Sequence, residues 1–528
     1  MMNVEILDCT LRDGGYVNRW NFGYKNIRET ITNLQSANID IIECGFIEDK
    51  TYDVDTSVFD TVENVSKIVH KRKPGTKYVA MIALGDIDVE KIGVRKDGQI
   101  NGIRLSFHKG ELDEEIESAK SLMKKGYEVF IQPIGTTMYS DKELVDLAES
   151  INEISPYAFY IVDTLGLLYP KDLHRIFSII DNNLDEKTKV GLHSHNNLQL
   201  AFSSAQEFIN IKSTREIIID SSVRGMGRGA GNLPTELICQ YINENISYKY
   251  DIAPLLTIMD TCLNKIYEKE QWGYSYPYYL SATYGCHPNY ASYLIDKGTM
   301  RVEDISKILV SIPQNSRGLF DKELIKSLYC NFHDSKIDDK DSISLLMKTI
   351  PKNNVLLIAP GKSLGLPIVD DFILKKCPYI ISINGAGTNR SVDAVFFSNS
   401  RRYKEKTGVY DNIRTITTSN IKCDSSEMNS SVNYLDYLSN CADFDNAGLM
   451  ALNLLSKLGV KETFLAGFDG YPVILNDIQK SYSSYSEYNL CMQKNEAFSN
   501  ILMNLSQNMK IKFVTPTSYK GVNSDEKN

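Results

Sequence analysis

The chain is poor in the features that would tie it to disulfides, membranes or polyanions. Its 10 cysteines are scattered over 528 residues and form no CxxC pair, which argues against a Cys-based zinc site and for a reducing compartment. Cys9, Cys44 and Cys239 fall in or near apolar runs, where free thiols are commonly buried. No uninterrupted apolar stretch reaches the roughly 20 residues that a membrane helix needs. The opening MMNVEILDCTLRDGG has neither a basic n-region nor an apolar h-region. A cytoplasmic protein without a membrane span is expected. There is no excess of positive charge either. With 58 Lys+Arg against 67 Asp+Glu the net charge is −9, so no broad nucleic-acid-binding surface is expected, although a local basic pocket for an anionic substrate stays open.

What remains is an ordinary globular composition, 42% hydrophobic and 24% charged, on a chain long enough for two or three domains. Over the first 220 or so residues, short β-type runs alternate with longer helical patterns. Strands are predicted at 4–8, 40–45, 78–83, 102–106, 128–134, 159–163, 189–193 and 216–220, with apolar residues at helical spacing between them, such as Ile27, Ile31 and Leu34. Eight strand–helix units in series predict an α/β fold, a (β/α)8 TIM barrel with a parallel inner sheet. Active sites of such barrels lie at the C-terminal strand ends. Polar residues gather there: Asp8 with Thr10, Arg12 and Asp13, then Glu43, Arg104, Ser106, Gln132, Asp163, Thr164, His193 and His195.

The strongest single signal is Gly191-Leu-His-Ser-His-Asn-Asn. Two His at i and i+2 share one side of an extended segment, and the whole chain holds only 7 His. At a barrel strand end both imidazoles can face one ion, with an oxygen ligand completing the set. Asp13, in the loop after the first strand, is the candidate donor. The competing reading is a pair of hydrogen-bonding groups on a polar rim.

Three segments carry a family resemblance. Asp8-Cys-Thr-Leu-Arg-Asp-Gly-Gly, His193-Ser-His-Asn-Asn-Leu and Gly225-Met-Gly-Arg-Gly-Ala-Gly-Asn-Leu-Pro-Thr-Glu resemble, in order, signatures of the metallolyase barrels. That superfamily includes 4-hydroxy-2-oxovalerate aldolase, 3-hydroxy-3-methylglutaryl-CoA lyase and isopropylmalate synthase. The resemblance spans about residues 1–300 and is closest to the aldolase branch. It implies that Asp13, His193 and His195 bind a divalent metal, with Asn232 a further ligand or support. It implies that Arg12 holds the substrate carbonyl oxygen and stabilises the enolate formed when a C–C bond beside a carbonyl is made or broken. Mn2+ suits such a mixed set, with Mg2+, Zn2+ or Co2+ tolerated.

The sequence departs from the pattern in two places. The aldolases place a basic His three residues after the metal-binding Asp, where this chain has Tyr16. The Claisen-type synthases carry Gln where this chain has Gly15, which weakens the acyl-CoA alternative. A Tyr of the following helical region assists the aldolases as an acid; Tyr278 is the best positional match, with Tyr276 and Tyr279 as rivals. Tyr16 itself or His287 is the candidate to supply the missing base. A catalytically inactive barrel serving as a binding module is the remaining alternative.

The expected domains are a barrel over 1–252, a helical appendage over 253–350 and a doubly wound, Rossmann-like α/β domain over 351–528. In the last, strands are predicted near 355, at 379–384, 394–398, 462–467 and 512–515. Residues 424–432 read as an exposed loop and 522–528 as a frayed end. Ala359-Pro-Gly-Lys-Ser lacks the P-loop spacing, but a strand running into a glycine turn suits a phosphate-bearing ligand. LLIAPGKSLG, SINGAGTNRSVDAVFFSNSRRY, FLAGFDGY and FVTPTSY are distantly similar to a family of bacterial sialyltransferases and pterin pyrophosphokinase-like proteins. That resemblance implies a nucleotide site at Gly361, Lys362, Ser363, Asn384 and Asn399. The partners expected are a 2-oxo acid at the barrel, a nucleotide or nucleotide-sugar at the C-terminal domain, and further copies of the chain in a homo-oligomer.

Overall fold

The computed structural model describes residues 4–519 apart from 70, 298–299, 388, 407–408, 411, 423–427, 439–444 and 472–484. The chain divides into two compact units, Met1–Pro288 and Asn289–Asn528, so the segment 253–350 is shared between them.

The first unit is built on nine parallel strands: β1 (Val4–Asp8), β2 (Ile41–Ile47), β3 (Val58–Phe59), β4 (Lys77–Ala83), β5 (Gly102–Phe107), β6 (Glu128–Pro133), β7 (Ala158–Asp163), β8 (Lys189–Ser194) and β9 (Ile217–Ser221). Eight of them close into a barrel, because β1 pairs with both β2 and β9. The two-residue β3 lies outside the ring, paired only to the end of β2. The register of β2 slips there between Glu43 and Phe46. Gly45 makes that slip feasible: its φ is +144°, and a Cβ would stand 1.9 Å from the Ser57 carbonyl oxygen.

Strands β2, β7 and β9 are buried along their whole length, as a parallel sheet covered by helices requires. The helices do their part by spacing. Pro170–Asn183 starts on a proline and buries Leu173, Ile176, Phe177 and Ile180 on one stripe. Asp141–Asn152 starts on a Ser140/Glu143 capping box. Period-two alternation sends Ile103, Leu105, Val190, Leu192, Ile217 and Ile219 outward into the main core. It sends Ile41, Phe130, Tyr160 and Ile218 into a second cluster inside the barrel. The same alternation aims Glu43, Arg104, Gln132, His193 and Asp220 inward one layer nearer the C-terminal mouth. Gly191 lies in the lower layer because Tyr160 fills its space; a Cβ there would meet the ring at 2.3 Å.

The second unit carries seven parallel strands: β10 (Val355–Ile358), β11 (Tyr379–Ile383), β12 (Ala394–Phe397), β13 (Arg414–Thr418), β14 (Asn429–Val432), β15 (Glu462–Ala466) and β16 (Lys510–Phe513). Their order is β14-β13-β12-β11-β10-β15-β16, a Rossmann-like sheet whose direction of growth reverses between β10 and β15. The expected loop over 424–432 is corrected here: Asn429–Val432 is an edge strand, parallel to β13. Its sequence, NSSV, is mostly polar, but Ser430 and Val432 are fully buried on one face. Residues 424–427, and the 522–528 tail expected to fray, lie outside the described residues. Among the described residues no helix is long and apolar enough to cross a membrane.

Candidate active site

The turn after β1 is tied down before it presents any chemistry. Asp8 accepts from the Thr10 N–H at 3.0 Å and from the Thr235 hydroxyl at 2.7 Å, while Thr10 Oγ1 accepts from the Val223 N–H at 2.8 Å. Asp8 and Thr10 therefore clip the β1 turn to the loop after β9. The Trp20 indole N–H closes the turn by donating to the Arg12 carbonyl at 2.7 Å. Trp20 also accounts for Gly15, where a Cβ would lie 1.9 Å from the indole. The Gln of the synthases has no room there.

Arg12 and Asp13 then point inward, both buried. Arg12 Nη1 donates to Asp13 Oδ1 at 2.6 Å and Arg12 Nε to Glu43 Oε2 at 2.8 Å. Glu43 Oε2 also pairs with Arg104 Nη1 at 2.8 Å. Arg104, fully buried, packs its guanidinium 4.7 Å from the centre of the Tyr160 ring and pairs with Asp220. Asp220 in turn lies 2.9 Å from His193 Nδ1. A continuous buried chain thus runs from Asp13 through Arg12, Glu43, Arg104 and Asp220 to His193. Two guanidinium groups against three carboxylates leave it one unit negative when the imidazoles are neutral.

The two ends of that chain meet a third group. Asp13, His193 and His195 offer ligand atoms within 4.8 Å of one another, and the two imidazole rings stand nearly perpendicular with centroids 5.1 Å apart. Asn232 joins them by donating from Nδ2 to Asp13 Oδ2 at 2.6 Å. Beside Asp13, the buried lone-pair atoms His195 Nδ1 and Asn232 Oδ1 are left without a hydrogen-bond partner, as are Glu43 Oε1 and Asp220 Oδ1 farther along the network. Buried polar atoms of this kind are costly unless something satisfies them. Burial would raise Asp13, yet Arg12, His195 and His193 hold it well below the ordinary carboxylate range. Burial lowers His195 to about 4, so the imidazole is neutral at pH 7 with a lone pair to offer. An anionic carboxylate, two imidazoles and an amide oxygen in a site of net negative charge fit a divalent cation. The Asp220 carboxylate against His193 Nδ1 would be the outer support for such a ligand, leaving Nε2 to serve as the donor atom.

The other expected residues fall as follows. Tyr16 stands at the mouth, 44% exposed, edge-on to Trp20 at 4.9 Å. Partial burial and the Asp13 charge push its phenol above 10. His287 is buried and its Nε2 faces Arg228. Tyr278 is half-buried on the helix Tyr276–Thr283, between the exposed Tyr276 and Tyr279. Asp163, one of the polar strand ends, accepts from the Leu167 and Leu168 N–H groups and so organises its own loop.

The comparisons with known proteins concern the barrel unit. Residues 102–261 match the HMGL-like family model. A 4-hydroxy-2-oxovalerate aldolase of Geobacillus genomosp. 3 is 27% identical over 238 residues, 44% of this chain and 69% of the relative. An oxaloacetate decarboxylase of Mycobacterium tuberculosis is 24% identical over 241 residues, 44% of this chain and 68% of the relative. The solved HMG-CoA lyase of Brucella melitensis superposes with a TM-score of 0.41 at 15% identity, covering 49% of this chain and 96% of that one. The barrel is an HMGL-like lyase domain.

Within the HMGL-like barrel, Asp220 of the network and Arg228, which contacts Tyr16 and His287 outside it, were not singled out from sequence. Asp220 reads only as the end of the run IIID; its signal was being two residues beyond Ile218, hence on the inner face at the mouth. Arg228 was hidden in the glycine-rich loop. That loop also yields a test. A Cβ on Gly227 would lie 2.5 Å from Asn232 Nδ2 and 2.7 Å from Asp13 Oδ2. Gly227→Ala is therefore expected to push the two apart and weaken divalent-metal binding by about tenfold or more. Metal titration of the purified variant checks this, and unchanged affinity would show that neither residue is a ligand.

In the second unit a cavity of about 210 Å³ opens at the carboxyl ends of β10, β11 and β15, lined by Gly361, Asn384, Asn446, Gly467, Asp469 and Tyr471 among others. Of the remaining residues expected to bind a nucleotide, Ser363 gives its hydroxyl to Asp469. Asn399 caps the helix Ser400–Glu405, and Lys362 is exposed.

Proposed function

We propose that the HMGL-like barrel is a divalent-metal-dependent aldolase that makes or cleaves the C–C bond of a 2-oxo acid such as a 4-hydroxy-2-oxo acid. The observation that carries this reading is the triad Asp13, His193 and His195, with the orphaned His195 Nδ1 and Asn232 Oδ1, at one end of a buried network of net negative charge. When bound, a divalent ion supplies Lewis-acid polarisation of the substrate carbonyl.

The chain's own residues do the rest. Arg12 is fixed by Asp13 and Glu43 and cannot lose its proton; its guanidinium opposes the negative charge that grows on the carbonyl oxygen as an enolate forms. A fixed donor of this kind needs no reorganisation at the moment of reaction. Proton transfer falls to Tyr16 rather than His287. Arginine can only donate, so the His287 lone pair that faces Arg228 is already engaged. Tyr16 keeps its proton at neutral pH and suits the delivery of a proton to a new alkoxide. By reversibility, its minor phenolate form serves the cleavage direction. The Claisen alternative loses ground because Trp20 occupies the space beside Gly15.

For the second unit the same proposal includes a nucleotide or nucleotide-sugar ligand. Its support is the cavity at the point where the sheet reverses, where ligands of doubly wound folds bind.

The test is pyruvate release from a 4-hydroxy-2-oxo acid by the purified full chain. With Mn2+ the release is expected to be measurable, to fall to background on addition of chelator, and to return with Mn2+. Cleavage that ignores the chelator sinks the metal-dependent reading.

A further inference from the structure

Arg228 is a half-buried cation beside the site that the network does not neutralise. Arg12 pairs with Asp13 and Glu43, Arg104 with Glu43 and Asp220, and Arg215 with Asp181. Arg228 is half-buried, and no described carboxylate pairs with it. Its contacts are both neutral: the lone pair on His287 Nε2 and the face of the Tyr16 ring, 5.7 Å from guanidinium carbon to ring centre. A guanidinium has five N–H donors in a planar fork, so a contact with one imidazole nitrogen leaves most of them unspent. A partly desolvated, uncompensated cation is unfavourable by itself and favourable beside an anion.

Its place is as informative as its charge. Arg228 follows Gly227, which packs directly on Asp13 and Asn232, so the backbone of the glycine-rich loop anchors it next to the proposed metal site. Tyr16, the proposed proton carrier, lies under its guanidinium. A substrate held by its 2-oxo acid end at the triad would project its far end toward this group.

We propose that Arg228, positioned by His287, is a specificity residue that binds an anionic group, carboxylate or phosphate, at the end of the substrate remote from its 2-oxo acid. The proposal rests on the 2-oxo acid reading of the barrel, and it assigns Arg228 no part in bond cleavage. It makes the preferred substrate a dianion or trianion, in which one negative end meets the metal site and the other meets the glycine-rich loop.

Binding of unreactive 2-oxo acids separates this idea from the aldolase reading. Calorimetry on the Mn2+-loaded full chain would compare 2-oxoglutarate, whose tail ends in carboxylate, with 2-oxopentanoate, whose tail ends in methyl. A phosphonate-ended analogue would show which anion is preferred. The wild type is expected to bind the best anionic-tailed acid at least about tenfold more tightly than the methyl-tailed one, the scale of one good charge-assisted pair. Arg228→Gln should remove that preference, and Arg228→Lys should keep part of it, since charge survives while the fork does not. Equal affinities in the wild type, or a preference that Arg228→Gln leaves intact, would overturn the proposal. Preference without cleavage of any 4-hydroxy-2-oxo acid would uphold the anionic subsite and count against the aldolase. Cleavage without preference would do the reverse.

Discussion

Arg12→Gln is expected to lower the rate of 2-oxo acid cleavage by about 10²–10³-fold, the scale seen when one preorganised donor to a developing oxyanion is removed. The glutamine can still donate, but it carries no charge and cannot bridge Asp13 and Glu43 together. Those bridges are 2.6 and 2.8 Å long and lie in a buried site, so both carboxylates lose a partner. The consequences for chemistry and for metal binding run in opposite directions. Removing a positive charge from beside Asp13 favours a cation, so metal affinity should hold or rise. The fall should appear in kcat with KM little changed, as for an interaction stronger in the transition state than in the ground state. Rate and metal affinity collapsing together would mean that Arg12 only props up Asp13, and its role on the carbonyl oxygen would have to be withdrawn.

How much of this site was legible in the sequence depends on the reach of each signal. Local signals were read well. Eight short apolar runs mark eight barrel strands to within a residue or two, because a strand buried on both faces has little choice but Ile, Val and Phe. The His-x-His spacing marks two side chains on one face, and they meet Asp13 in space. Asp8 was read as one polar strand end among several; in the structure it clips two loops together, a role that depends on Thr235 and was invisible without it. Long-range pairings were not legible. Nothing local joins Arg104 to Asp220, 116 residues on, or Glu43 to Arg104. In the second unit NSSV has no apolar periodicity, and it becomes a strand only because β13 offers it an open edge. Trp20 shows the same limit: the absence of Gln beside Asp13 was noted at Gly15, but its cause is an indole five residues away.

Asp220→Asn is expected to weaken divalent-metal binding by about 10–100-fold, the cost of losing the outer partner of a ligating imidazole. Two effects add. His193 loses the carboxylate that fixes its ring and enriches its lone pair, and the site loses the single unit of negative charge that draws a cation in. The same change leaves Arg104, with no exposed surface, sharing only Glu43 with Arg12, and breaking a buried pair on one side costs about 3–5 kcal/mol. The pH dependence fixes the sign. Arg104 and His193 overcome burial and hold Asp220 below its ordinary value of 3.8, so its contribution to stability is present above that pH and is lost as pH falls through the depressed folded value. Thermal unfolding of wild type and variant in chelator should therefore differ most near neutrality and converge toward strong acid. Metal titration at neutral pH gives the first number and the unfolding series the second. Full metal affinity in a destabilised variant would make Asp220 a partner of Arg104 alone, and the His193 ring would then owe its orientation to contacts such as the edge-on His195 ring.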